Sequence, residues 1–363
     1  YHGAYAGDDA AGPAPGLPAI SSEEVTRGMA TVTPNPETNK LEVELKPLWE
    51  MTTTPSRIAP GHGACPGCGF FPMLRQAYNV LEGNVVVLFQ TGCAMVTTTG
   101  YPKTAHRITY IHNLFQNGAA TLSGLVEMYH ERVRRGEIPA APEGEETTFI
   151  MVTGDGGMDI GMGAALGTAN RNHKMIILEY DNQGYMNTGS QLSYATPYGH
   201  RTSTSEVGDK LSGKRFHHKD TPQIFAACNL PYVFTASEGY PEDFMRKISK
   251  AQWYARREGF VYGKVLSFCP LNWRTKDDAA QEVLQTAIDC CFFPLYEVER
   301  GSTHITYDPD AIGRRRSVGA WLGQMGKTKH MLEPDNAERL EMLEHEFDKR
   351  WRKLKIKSEH PEL

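Results

Sequence analysis

The stretch Thr148-Phe149-Ile150-Met151-Val152-Thr153-Gly154-Asp155-Gly156-Gly157 decides how this chain is read. Thr148 to Val152 is the short apolar run of a buried strand, and Gly154-Asp155-Gly156-Gly157 closes it. Further on, Met175 to Tyr180 repeats the pattern and is closed by Asp181-Asn182-Gln183-Gly184. An acidic residue and an amide or carbonyl oxygen at the ends of two adjacent strands can hold a hard divalent cation, which can in turn clamp a diphosphate. Glycines beside the acid let the backbone approach phosphates closely. One Gly-Asp-Gly alone also occurs in ordinary turns; two halves, each after a strand, point to a cofactor site.

From Gly61 to about Phe293, strand-like runs alternate with helical stretches, the pattern of an α/β fold with a mostly parallel sheet flanked by helices. Strands are expected at Asn84–Phe89, Thr148–Val152, Met175–Tyr180 and Gly263–Phe268, and helices at Pro72–Leu81, Leu114–Arg134, Asp159–Asn170, Pro241–Arg257 and Asp278–Cys291. Residues 1–55 begin Pro-, Ala- and Gly-rich and read as an extended arm; 56–293 form the α/β domain; 294–363 form a C-terminal extension. In that extension Leu340, Leu343, Phe347, Trp351 and Leu354 recur at helical spacing, so an amphipathic helix must bury this stripe on the chain's own body or on a partner.

Composition narrows the class. With 363 residues, 40% hydrophobic and 22% charged, the chain is a globular protein able to bury a large core. A net charge of −5 gives no reason to expect a nucleic-acid partner. Apolar runs such as Asn84–Phe89 are strand-sized, too short to span a bilayer, and no signal segment is evident at Tyr1, where the missing Met hints at a processed start. A cytoplasmic location is expected. Seven cysteines do not make a disulfide scaffold in a chain this long, and clustered ones read as metal or redox ligands.

Each strand candidate is followed by residues suited to a cofactor: Thr91-Gly92-Cys93, Gly154-Asp155-Gly156, Asp181-Asn182 and Cys269-Pro270. In open α/β sheets ligands bind beyond the carboxyl ends of the strands, so these runs point to one crevice. Cys65-Pro66-Gly67-Cys68 can turn two thiolates toward one metal, and Cys93 and Cys269 add two distant ligands. The spacing fits an iron–sulfur cubane, a zinc ion or plain packing. Cys228, Cys290 and Cys291 read as buried small apolar residues.

Taken together, these motifs resemble a family. The diphosphate–cation spacing resembles the magnesium motif of thiamine diphosphate enzymes. Gly61-His62-Gly63-Ala64-Cys65-Pro66-Gly67-Cys68-Gly69 resembles the start of the β subunit of pyruvate:ferredoxin and related 2-oxoacid:ferredoxin oxidoreductases. Tyr185-Met186-Asn187-Thr188-Gly189, Ala195-Thr196-Pro197-Tyr198-Gly199 and Cys269-Pro270-Leu271-Asn272-Trp273 are similar to later segments of that subunit, over residues 56–275 in all. The resemblance implies a [4Fe–4S] cluster on Cys65, Cys68, Cys93 and Cys269, and magnesium on Asp155, Asn182 and the Gly184 carbonyl. It implies thiamine diphosphate against Thr91, Gly92, Gly154, Gly156, Gly157 and Met186, with Asn187 reaching the reactive ring as the catalytic candidate. His62 and His112 are expected to be structural, and Phe70-Phe71 stands where many members carry an acid.

The implied activity is oxidative decarboxylation of a pyruvate-type 2-oxoacid to acyl-CoA and CO2, with electrons passing through the cluster to ferredoxin or another acceptor. The implied partners are α and γ/δ-type subunits, one of which completes the site. Alternatives stay open: an aromatic oxoacid such as phenylglyoxylate, or a branched-chain one, with NAD as acceptor through a flavin subunit; a non-catalytic electron-transfer subunit; and a cluster-free thiamine decarboxylase or synthase, against which the four cysteines argue.

Overall fold

The computed structural model describes residues 25–27, 29–52, 56–100, 104–142 and 145–360; the Pro-, Ala- and Gly-rich start lies outside them. Where the sequence suggests an arm, β1 (Val25–Arg27), β2 (Ala30–Asn35) and β3 (Lys40–Leu45) form a small antiparallel sheet. Asn35 Oδ1 accepts from the backbone N–H groups of Glu37 and Thr38, which sets the turn between β2 and β3. The alternation Leu41-Glu42-Val43-Glu44-Leu45 buries Leu41 and half-buries Val43 and Leu45, and the sheet packs on the helix Pro241–Arg257.

The body follows in chain order: α1 (Phe70–Val80), β4 (Val85–Gln90), α2 (Cys93–Thr98), β5 (Thr109–Asn113), α3 (Gly118–Arg134), β6 (Thr148–Gly154), α4 (Asp155–Asn170) and β7 (Ile176–Asp181). A two-residue hairpin, β8 (Val207–Gly208) and β9 (Leu211–Ser212), interrupts it before α5 (Thr221–Ala226), β10 (Tyr232–Ser237), α6 (Pro241–Arg257) and β11 (Val261–Leu266). Then come α7 (Pro270–Trp273), α8 (Ala280–Asp289), β12 (Leu295–Glu299), β13 (Ser302–Tyr307), α9 (Val318–Leu322) and α10 (Ala337–Glu359).

Eight strands make one sheet in the order β13-β12-β10-β11-β7-β6-β4-β5. The six from β10 to β5 run parallel, and β12 and β13 extend the sheet as an antiparallel hairpin, so it continues past residue 293. Alternate residues serve opposite cores. Val87, Phe89, Ile150, Val152, Ile176 and Leu178 pack toward α1 and α6. Leu88, Phe149, Met151 and Ile177 pack toward α3 and α4. Gly263 sits inside β11 because a Cβ there would lie 2.2 Å from the Phe234 ring of β10.

The expected helix over Leu114–Arg134 starts at Gly118, since Leu114 to Asn117 form the loop after β5. The helix expected from Asp159 begins earlier, at Asp155, which puts the Gly-Asp-Gly-Gly motif in its first turn. The amphipathic stripe of α10 is buried on the chain's own body: Leu343 and Phe347 join the cluster around Trp321 and Phe292, while Trp351 and Leu354 join the cluster of Tyr296 and Val298. Cys290 and Cys291 are buried as expected; Cys228, in the turn after α5, is only half-buried. Among the described residues no helix is long and apolar enough to cross a membrane.

Candidate active site

The parallel strands deliver their loops to one edge of the sheet. At the end of β6, Asp155 opens α4 and is fully buried. Its Oδ2 accepts from the Ser193 hydroxyl at 2.5 Å. Burial, then the nearby Asp181, pushes its carboxyl well above the ordinary range. At the end of β7 the Asn182 amide terminus lies 3.0 Å from Asp155 Oδ1 and 3.2 Å from the Gly184 carbonyl oxygen. With its nitrogen toward them the amide donates to both; with its oxygen toward them, three oxygens converge. Oxygens that are neighbours in an octahedron of radius about 2.1 Å stand about 3 Å apart, and the two distances from the Asn182 amide terminus are of that size. Among the described residues no group of three His, Cys, Asp or Glu side chains is placed to hold a metal ion. Any cation here therefore relies on one carboxylate, one amide and one backbone carbonyl.

The loop carrying Asn182 and Gly184 is held from several sides. Asp181 accepts from the Gln183 N–H at 2.9 Å and pairs with Lys264 at 2.9 Å. Gln183 adopts a left-handed φ of 68°, and its side-chain oxygen accepts from Lys327 at 2.5 Å. Burial pushes the Lys327 ammonium down to about 7. The Asn182 carbonyl accepts from Trp273 Nε1 at 3.1 Å and Asn272 Nδ2 at 3.3 Å, so the segment after Cys269 braces the cation loop. Lys219 Nζ donates to the Asp155 carbonyl at 2.9 Å. Ser193, Lys219, Lys264 and Lys327 carry no sequence motif, and the sequence reading missed them.

The motif glycines have a packing reason. A Cβ at Gly156 would lie 2.5 Å from the Tyr185 ring, and one at Gly157 would lie 2.6 Å from Thr153 Oγ1. They make room for the chain's own side chains as well as for any phosphate. Thr91, after β4, has its hydroxyl 2.9 Å from His112 Nε2, so His112 braces a candidate cofactor residue. Asn187 stands exposed in the turn Met186–Gly189, and its side chain makes no hydrogen bond among the described residues. Met186 lies against Gly184, where a Cβ would meet its Cε at 2.2 Å.

The four cysteines singled out are all free thiols, on three segments tied by backbone bonds. Gly63 N–H donates to Thr97 O at 2.9 Å, joining the Cys65–Cys68 loop to the helix that starts at Cys93. Gly69 N–H donates to Phe268 O at 2.9 Å, joining the same loop to Cys269. Gly67, at φ +70°, is required because a Cβ would lie 2.2 Å from Asp277 O. Burial raises Cys68 to about 11 and Cys93 to about 12, and the thiols of Cys269 and Cys65 add to both shifts. Glu238, which follows β10 and was also missed, accepts from Phe268 N–H at 2.6 Å, and burial pushes its carboxyl up to about 8. Phe70 and Phe71 are core residues of α1, and His62 stacks on Phe71.

A doubly flanked parallel sheet with an acid–amide pair at its carboxyl edge defines a thiamine diphosphate-binding fold. Residues 91–262 match the family described as thiamine pyrophosphate enzyme, C-terminal TPP binding domain. The pyruvate synthase subunit PorB of Thermotoga maritima is 39% identical over 304 residues, 82% of this chain and 90% of that protein. PorB of Methanocaldococcus jannaschii is 38% identical over 77% of this chain and 91% of its own length. The ketoisovalerate oxidoreductase subunit VorB of Pyrococcus abyssi is 31% identical over 81% of this chain and 91% of its own length. The chain belongs to the pyruvate/2-oxoacid:ferredoxin oxidoreductase family, as a thiamine diphosphate-binding β subunit.

Proposed function

We propose that this chain is the thiamine-bearing subunit of a cytoplasmic enzyme that oxidatively decarboxylates a pyruvate-type 2-oxoacid to acyl-CoA and CO2. The observation that carries the reading is the convergence of the Asn182 amide terminus on Asp155 Oδ1 and the Gly184 carbonyl oxygen at the ends of two adjacent strands. A buried Asp155 is costly as an anion unless a cation compensates it, and magnesium together with a diphosphate supplies that compensation. Thr91, Gly92, Gly154, Gly156 and Gly157 would hold the diphosphate at the start of α4, whose free N–H groups and dipole favour an anion. Met186 and Asn187 would face the cofactor's reactive end. When bound, thiamine diphosphate supplies the carbanion equivalent that no side chain can provide.

Cys65, Cys68, Cys93 and Cys269 would hold a [4Fe–4S] cluster that takes up electrons one at a time. The four thiols stand within electrostatic reach of one another, and burial raises those of Cys68, Cys93 and Cys269, favouring the neutral form until a metal binds. Other subunits would complete the site and pass electrons to ferredoxin or another acceptor. The higher identity to the pyruvate synthase subunits than to the ketoisovalerate subunit favours pyruvate as substrate.

Calorimetry on the purified complex tests the cofactor reading. Thiamine diphosphate should bind only with a divalent cation, and Asp155→Asn should weaken it by at least about tenfold. Cation-independent binding, or an unchanged affinity in Asp155→Asn, would overturn it.

A further inference from the structure

A cavity of about 650 Å³ opens between α10, α5 and strands β7, β10, β11 and β12. It reaches Asp181, but neither the triad Asp155, Asn182 and Gly184 nor any of the four cysteines lines it. Its size is that of a small-molecule site. Its walls are chiefly apolar: Phe292, Phe293, Pro294 and Tyr296 on one side, Pro222 and Leu354 on others.

The charge of this cavity runs against that of the whole molecule. The chain carries a net −5, yet six cationic side chains line the cavity against the three carboxylates of Asp181, Asp220 and Glu346. The two inner cations are neutralised: Lys264 pairs with Asp181 at 2.9 Å and Glu179 at 3.3 Å, and Lys219 pairs with Asp159. The four on α10 are not. Lys349 and Arg350 share the single carboxylate of Glu346, at 3.6 Å and 2.7 Å. Lys357 donates to the neutral Gln223 at 2.7 Å, and Lys353 has no ion-pair partner among the described residues. Beside them His218 is kept neutral by burial, and its Nδ1 has no hydrogen-bond partner.

An apolar chamber with a neutralised floor and a cationic edge selects a molecule with an apolar body and an anionic head. We propose that this cavity is a binding site for an anionic amphiphile, its head group at Lys349 and Lys353 and its chain against Phe292, Phe293 and Leu354. Apolar burial supplies most of the affinity, and the lysines discriminate against neutral molecules of the same length.

The test titrates the purified complex with decanoate, decyl phosphate and decanol by calorimetry. Decanoate or decyl phosphate should saturate one site per chain and bind at least tenfold tighter than decanol; the tighter of the two anions names the head group. The advantage over decanol should collapse near 1 M salt, where the Debye length is about 3 Å. The exposed double variant Lys349→Glu/Lys353→Glu should weaken the anion at least tenfold and leave decanol unchanged. Non-saturable binding, decanol equal to both anions, or no response to the charge reversal would each overturn the proposal.

Discussion

Asp155 shows what the sequence could and could not disclose about single residues. The motif revealed the acid and its partner Asn182, because an acid among glycines after an apolar run is a local signal. It did not reveal Ser193, which bonds Asp155 Oδ2, or Lys327, which fixes Gln183 from far along the chain. Those contacts exist only once the chain has folded, and neither residue has a spacing that announces it. The cysteines divide in the same way: Cys269→Ser should lower iron bound per complex, whereas Cys228→Ser, in the turn after α5, should leave iron unchanged, as iron analysis would read. His106 gives a pH prediction. Burial holds its imidazole down at about 4 against an ordinary value near 6.5, so it is neutral in the fold and protonated in the unfolded chain between those values. The unfolded state then binds the extra proton, so stability falls as pH drops from about 6.5 toward 4, by up to about 3 kcal/mol from this group. In His106→Phe the urea midpoint should depend less on pH across that window; an unchanged slope would refute the assignment.

Elements were legible where the local pattern of the chain was strong. The strands at β4, β6, β7 and β11 were found within a few residues because both faces of each are apolar or end in a motif. Four strands of the eight-stranded sheet, β5, β10, β12 and β13, were not found. In β12, Glu297 and Glu299 break the apolar run, yet both are buried: Lys250 of α6 pairs with them at 2.8 Å and 3.0 Å, and the hydroxyls of Tyr232 and Tyr254 donate to them. A charged strand residue that owes its burial to a partner on a distant helix cannot be read locally. β5 is an exposed edge strand with little apolar pattern. The start of α4 was placed late because glycines have low helix propensity. The stripe of α10, by contrast, was clear, and it yields a prediction. Trp351→Ala removes a buried indole and its 2.7 Å bond to Asp310, so it should cost about 3–5 kcal/mol and expose α10 to limited proteolysis. Met342→Ala, on the exposed side, should change stability by no more than about 0.5 kcal/mol.

At the scale of the molecule, one sheet brings both constellations to a single edge. Cys269 and Asn182 lie on neighbouring strand ends, and Trp273 and Asn272 bond the Asn182 carbonyl directly from the segment after Cys269. A cluster and a thiamine site built on that edge would be mechanically joined, which suits short-range electron transfer. The proposed reaction also needs the other subunits, so the isolated chain should release no CO2 from 2-oxoacids and should gain activity on assembly with them. The most direct test of the central claim is anaerobic visible and EPR spectroscopy of the purified complex mixed with coenzyme A and pyruvate, phenylglyoxylate or 2-oxoglutarate in turn. The account predicts that pyruvate reduces an iron–sulfur signal in the wild type and fails to do so in Asp155→Asn. Iron that no oxoacid reduces, or equal reduction in Asp155→Asn, would contradict it.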